Sequence, residues 1–200
     1  MVAIKLICLV LVGQFLGTTT SLADAKLAAR FIHAAALLEN KGVRFDSSYR
    51  AIAFPLGDVP ANVGVCADVV IRAYRAVGID LQRLIHEDMR RNFSAYPRLW
   101  GLRGTDSNID HRRVLNLRTF FTRQGKSLRV SDDPNAYKPG DLVTWNLNPH
   151  GSMPHIGIVM DNKTADGSRP LIMHNMGGGQ IYEDILFTYK ITGHYRYGID

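Results

Sequence analysis

The chain has 200 residues, of which 46% are hydrophobic and 21% charged, a composition that fits one globular domain with a sizeable core and excludes disorder, collagen and coiled coil. Two cysteines without C-x-x-C spacing exclude a disulfide-stapled scaffold and a thiolate zinc site. The formal charge of +6 suits an anionic partner, such as cell-wall polymer or a membrane surface, better than nucleic acid.

Residues 1–23 read as a cleaved export signal, with Lys5 ahead of the apolar run Leu6 to Val12, then small polar residues and Ser21-Leu22-Ala23. The run is well short of the ~20 residues that a membrane span requires, so the expectation is release into the periplasm or medium without stable membrane insertion. The mature domain is then 24–200, and Cys66 is its sole cysteine. Asp24 is predicted to cap a helix carrying Leu27, Phe31, Ala34 and Leu38, with Gly42 to stop it. The turn-rich stretch Phe54 to Gly64 delivers the chain to Cys66, which opens a helix with the stripe Val69, Val70, Ala73 and Val77, ended by Gly78.

Asp80 is predicted to cap a helix bearing Leu81, Leu84 and Ile85. The segment from Arg90 to Arg113 is long, polar and arginine-rich, and a further helix carries Leu117, Phe120 and Phe121 up to Gly125. After the turn Tyr137-Lys138-Pro139-Gly140-Asp141 the apolar residues become β-branched and aromatic, which predicts strands at 142–146, 155–160, 170–175 and 185–197, the last as one strand or two. Helices first and strands second make an α+β domain.

A lone cysteine in an exported chain is either a small buried residue or a reactive thiol. Cys66 stands at a helix start, where unpaired N–H groups and the helix dipole favour a thiolate. Asp68 opposes this unless its charge is spent on hydrogen bonds. A base comes from elsewhere in the chain. His155 and His174 lie on neighbouring predicted strands, and a hairpin register pairing 155 with 174 and 159 with 170 brings the imidazoles together. Asn175 faces the other way in that register and is the competing orienter. His86, His111, His150 and His194 show no metal-ligand spacing; His150, His155 and His174 are the one set that could converge on a metal, and the reading favours none. Asp110, His111, Arg112 and Arg113, with Asp68, are candidate substrate grips, because arginine suits bidentate carboxylate recognition and the segment is dense in polar groups. Trp100, Tyr96 and Trp145 either stack on sugar rings or fill the core.

The patterns Pro139-Gly140-Asp141-Leu142-Val143, His155-Ile156-Gly157-Ile158-Val159 and Ile172-Met173-His174, preceded by the helix-start cysteine, resemble the NlpC-type cysteine peptidases of the papain-like superfamily. Gly64 to Arg72 and Asn108 to Arg113 resemble, more closely, an exported bacterial family of unknown function grouped with that superfamily. The resemblance implies a papain-like α+β fold with the nucleophile helix packed on a C-terminal antiparallel sheet. It implies Cys66 as nucleophile, His155 as base and acid, His174 as third polar residue, no cofactor, and peptidoglycan stem peptides as substrate. The alternatives are a thiol acyltransferase or esterase with the same residues, and a non-catalytic periplasmic binding module with an inert Cys66. Nothing in the chain announces an inhibitor or immunity protein.

Overall fold

The computed structural model describes the backbone of residues 16–199 and the side chains from residue 24 onward. The export-signal reading therefore lies outside the described residues, apart from the backbone of 16–23. That backbone is helical and continuous with α1, Leu16–Ala36. Asp24 sits inside α1 and does not cap it, because no proline stands between Leu16 and Asp24 to stop the helix. The helix also ends well before Gly42. Asn40 leaves it to pair with Gln180, exchanging backbone hydrogen bonds of 2.8 and 3.0 Å, and its side chain accepts from Gly42 N–H at 2.8 Å.

Two short parallel strands, β1 at Arg44–Phe45 and β2 at Val63–Gly64, bring the chain to α2, Cys66–Ala76. Val65 offers α2 no side-chain cap, so Asp68 at the third helical position reaches back and accepts the Val65 N–H at 2.6 Å. α2 buries Ala67, Val69, Val70, Ala73 and Tyr74 and stops at Gly78, whose φ of +89° suits a residue without Cβ. In α3, Leu81–Asn92, the expected cap is made, with Asp80 accepting from Gln82 N–H. A single 3₁₀ turn, Asp110–Arg112, closes the long polar segment and packs against α2, α3 and α4, Val114–Arg123.

The sheet contains β3 (Ser127–Leu128), β4 (Leu142–Asn146), β5 (Pro154–Lys163), β6 (Pro170–His174), β7 (Ile181–Glu183) and β8 (Lys190–Tyr195), in the order β3-β8-β4-β5-β6-β7, antiparallel throughout. The architecture is α+β, four helices and an antiparallel sheet among the described residues. The expected strand over 185–197 begins only at Lys190, because Ile185 and Leu186 turn inward as a cover and Leu186 O accepts the Trp145 indole N–H at 3.0 Å.

Alternation along the strands divides the core in two. Leu142, Ile156, Ile158, Met160 and Met173 face the helices, packing with Cys66, Val69, Val70 and Tyr74. Val143, Trp145, Val159 and Ile172 face the other way, beneath Tyr137, Ile185 and Leu186. No described helix is long and apolar enough to cross a membrane.

Candidate active site

β5 and β6 pair with Ile158 opposite Met173 and Val159 opposite Ile172, which continues to Gly157 opposite His174. The expected pairing of 155 with 174 is thus displaced by two residues. β5 runs on to Lys163 through an irregularity after Val159, and the turn is confined to Thr164–Arg169, shorter than the polar stretch suggested. A shift of two keeps every side chain on its face. His155 and His174 remain neighbours, now diagonal, with His155 Nε2 3.1 Å from His174 Nδ1 and the rings perpendicular. Both are buried. The opposite ring nitrogen of His155, Nδ1, makes no hydrogen bond to a described residue.

Cys66 is the first residue of α2 and 7% exposed. Its sulfur meets the sheet at the backbone N–H of Ile156, the residue following His155. Burial pushes the thiol up to about 11, Ile156 N–H pulls the other way and the Asp68 charge adds to the rise. Burial, with His174 beside it, presses His155 down to about 3. The resting pair is therefore a neutral thiol and a neutral imidazole, and the thiolate favoured by the helix start is outweighed by desolvation. No hydrogen bond joins Cys66 to His155 among the described residues; the sulfur lies against the adjoining peptide group instead.

The Asp68 carboxylate is held by Arg112, with Nε to Oδ1 at 2.8 Å and Nη2 to Oδ2 at 2.9 Å, besides the Val65 N–H. Its charge is spent on these bonds, the condition under which it does least harm to a neighbouring thiol. The same geometry corrects the reading of the substrate grips. Asp68, Asp110, His111 and Arg112 are buried and directed inward: Asp110 accepts from Asp106 N–H at 2.6 Å and from Arg113 at 3.1 Å, and burial presses His111 down to about 3. These four are framework, Asp68 on α2 and the others packed against it. Arg113, its side chain 17% exposed and paired with Asp110, has Trp100 stacked 4.2 Å from its guanidinium, while Tyr96 and Trp145 are core residues.

Asn175 does not reach His155. Its Nδ2–H donates to Gly64 O at 3.3 Å and its Oδ1 accepts from Gly177 N–H, which ties the end of β6 to the strand before Cys66. The aspartate of the Pro-Gly-Asp turn, Asp141, accepts from His194 at 2.7 Å and from Arg196 at 2.7 and 2.8 Å, so it anchors the sheet. His150 lies on an exposed turn, and no group of three or more His, Cys, Asp or Glu among the described residues could hold a metal ion. Sequence reasoning missed Glu183, whose Oε2 is 2.9 Å from His174 Nε2. It stands on β7, which carries no long apolar pattern, and only the strand order brings it to the histidines.

These elements define an α+β domain in which a helix-start cysteine meets the Ile156 peptide of β5, and the preceding residue, His155, is bonded to His174 on the adjacent antiparallel strand. The chain belongs to the family described as domain of unknown function DUF1287, which matches residues 32–197. It is 50% identical over 153 residues to the uncharacterized protein YijF of Escherichia coli strain K12, covering 76% of this chain and 73% of that one. No solved structure matches it.

Proposed function

We propose that this protein is a papain-like, NlpC-type cysteine amidase or endopeptidase, exported and acting on amide bonds of peptidoglycan stem peptides. The observation that carries the reading is the 3.1 Å bond from His155 Nε2 to His174 Nδ1, which leaves His155 Nδ1 unbonded at the strand start where the Cys66 sulfur meets the Ile156 backbone. Because both groups rest neutral, the thiol proton passes to His155 as sulfur attacks the carbonyl carbon. N–H groups at the start of α2 receive the developing oxyanion. His155 then protonates the departing amine, the C–N bond breaks, and the acyl-thioester is hydrolysed by water that gives its proton to His155. His174 holds the tautomer of His155. The basic charge of the chain suits carboxylate-bearing wall peptides.

Mass spectrometry of sacculi and muropeptides, incubated with the protein and with its Cys66→Ala variant, tests this. Fragments made by the wild type alone are expected, and their masses name the bond; identical digests would overturn the reading. A second reading, a non-catalytic binding module, is favoured by the depth of the thiol and its rise to about 11. Iodoacetamide separates the two. A catalytic thiol so raised alkylates more slowly than a free cysteine at pH 7 and speeds up about tenfold per pH unit above it. A module's thiol stays inert until the protein unfolds.

A further inference from the structure

His174 is wholly buried, and its Nε2 makes no well-aligned hydrogen bond among the described residues. The group standing next to that atom is Glu183 Oε2, at 2.9 Å but off the ring N–H direction. Ile172 pairs with Glu183 and His174 with Ile181, so Glu183 and His174 share a sheet face as diagonal neighbours. The glutamate side chain is 41% exposed, which leaves it room to swing onto the N–H axis, whereas both imidazoles are fixed by burial.

The direction of the whole chain of hydrogen bonds follows from what each atom can do. A carboxylate accepts and does not donate, whereas a neutral imidazole has one N–H and one bare nitrogen. With Glu183 at His174 Nε2, that nitrogen carries the proton and His174 Nδ1 is bare. A bare Nδ1 can only accept, so His155 must donate from Nε2, and its own Nδ1 is then bare. With an apolar residue at 183 the sequence reverses, since a buried N–H without an acceptor is disfavoured more than a buried bare nitrogen. His155 Nδ1 would then carry a proton and could not take one.

The geometry points to Glu183 as a positioning residue that polarises the line Glu183–His174–His155 and so makes His155 Nδ1 a proton acceptor. This deepens the peptidase reading and rests on it for its consequence, but the hydrogen-bond direction is a property of the resting protein. It is read by long-range ¹H–¹⁵N correlation spectra of protein labelled at histidine, with His155 and His174 assigned through His→Gln variants. Both rings are expected to be protonated at Nε2 and bare at Nδ1; an Nδ1–H on either ring in the wild type would overturn the inference without any variant.

In Glu183→Leu, judged folded by its amide spectrum, both rings should move to the Nδ1–H form. Turnover of stem peptides should fall roughly a hundredfold with KM within about twofold of wild type. Unchanged tautomers in the folded variant overturn the inference. Expected tautomers in a protein that cleaves no muropeptide overturn the peptidase reading and leave this one standing, and cleavage with the opposite tautomers does the reverse.

Discussion

Gly157 lacks a side chain at the place where His174 leans toward His155. A Cβ added there would lie 2.5 Å from Ile172 Cγ2, 3.1 Å from Met173 O and 3.3 Å from His174 Cβ. Backbone conformation is not the constraint, since Gly157 has no positive φ; space is. Gly157→Ala should cost roughly 1–3 kcal/mol of stability through overpacking and separate the two rings. Urea unfolding reads the first effect and the histidine ¹⁵N shifts the second; full stability with an unaltered His155–His174 bond would show that the strand pair relaxes around a methyl group. Asp68 illustrates the same scale differently. A residue that opposes a thiolate at Cys66, and still adds to the rise of its thiol, is paired by Arg112, which lies 44 positions further along the chain.

The helices owe their ends to single residues and their positions to the sheet. Asp80 serves α3 twice over: Oδ1 accepts from Gln82 N–H at 3.1 Å, and Oδ2 accepts from Leu56 N–H at 3.0 Å, which fastens the turn-rich segment to the helix start. Asp80→Ala should cost about 1–2 kcal/mol, lowering the melting temperature by roughly 2–4 °C for each kcal/mol, while Asp80→Asn should retain most of the cap. Calorimetry of the two variants checks this, and an Asn variant as unstable as Ala would place the value of Asp80 in its second oxygen, which holds Leu56 N–H and which an amide lacks. The cap of α3 and the stops of α2 and α4 were legible because Asp80, Gly78 and Gly125 act locally, whereas the run of α3 on to Asn92 and the start of α4 at Val114 carry no such local signal. The ends of α1 were not, because its exit is set by the distant pairing of Asn40 with Gln180. The hairpin register was legible in its parity and not in its value: alternation of apolar residues fixes a face, whereas the irregularity after Val159 fixes which residues meet.

Across the whole molecule, buried neutral histidines make stability depend on acid. His155 and His111 are each pressed from 6.5 to about 3, chiefly by burial, with His174 adding to the first and Arg112 and Arg75 to the second. A folded-state pKa below the unfolded one means that the unfolded chain binds protons first. The stabilising contribution is therefore complete above about pH 6.5 and is lost progressively as pH falls toward 3. Asp110, whose carboxyl burial raises, works in the opposite sense by taking up its proton more readily in the folded state. The urea midpoint should drop between pH 7 and pH 4.5, a window above most carboxylate titration, and drop less in His111→Gln. A midpoint constant over that window would mean that these imidazoles are hydrated in solution.

Legible in the amino-acid sequence were the α+β class, the helix-start position of Cys66, the Asp80 cap of α3, the glycine stops of α2 and α4, and the common face of His155 and His174. All of these depend on periodicity or on a residue's own backbone preference, which act over a few positions. The tertiary structure alone turns Asp68, Asp110, His111 and Arg112 inward, sets Asn175 on the Gly64 strand and stands Glu183 beside His174. Only it decided that burial outweighs the helix dipole at the thiol. Desolvation and ion pairing depend on which distant segments surround a group, and in this fold that is set by the antiparallel order that seats β5 between β4 and β6 beneath α2.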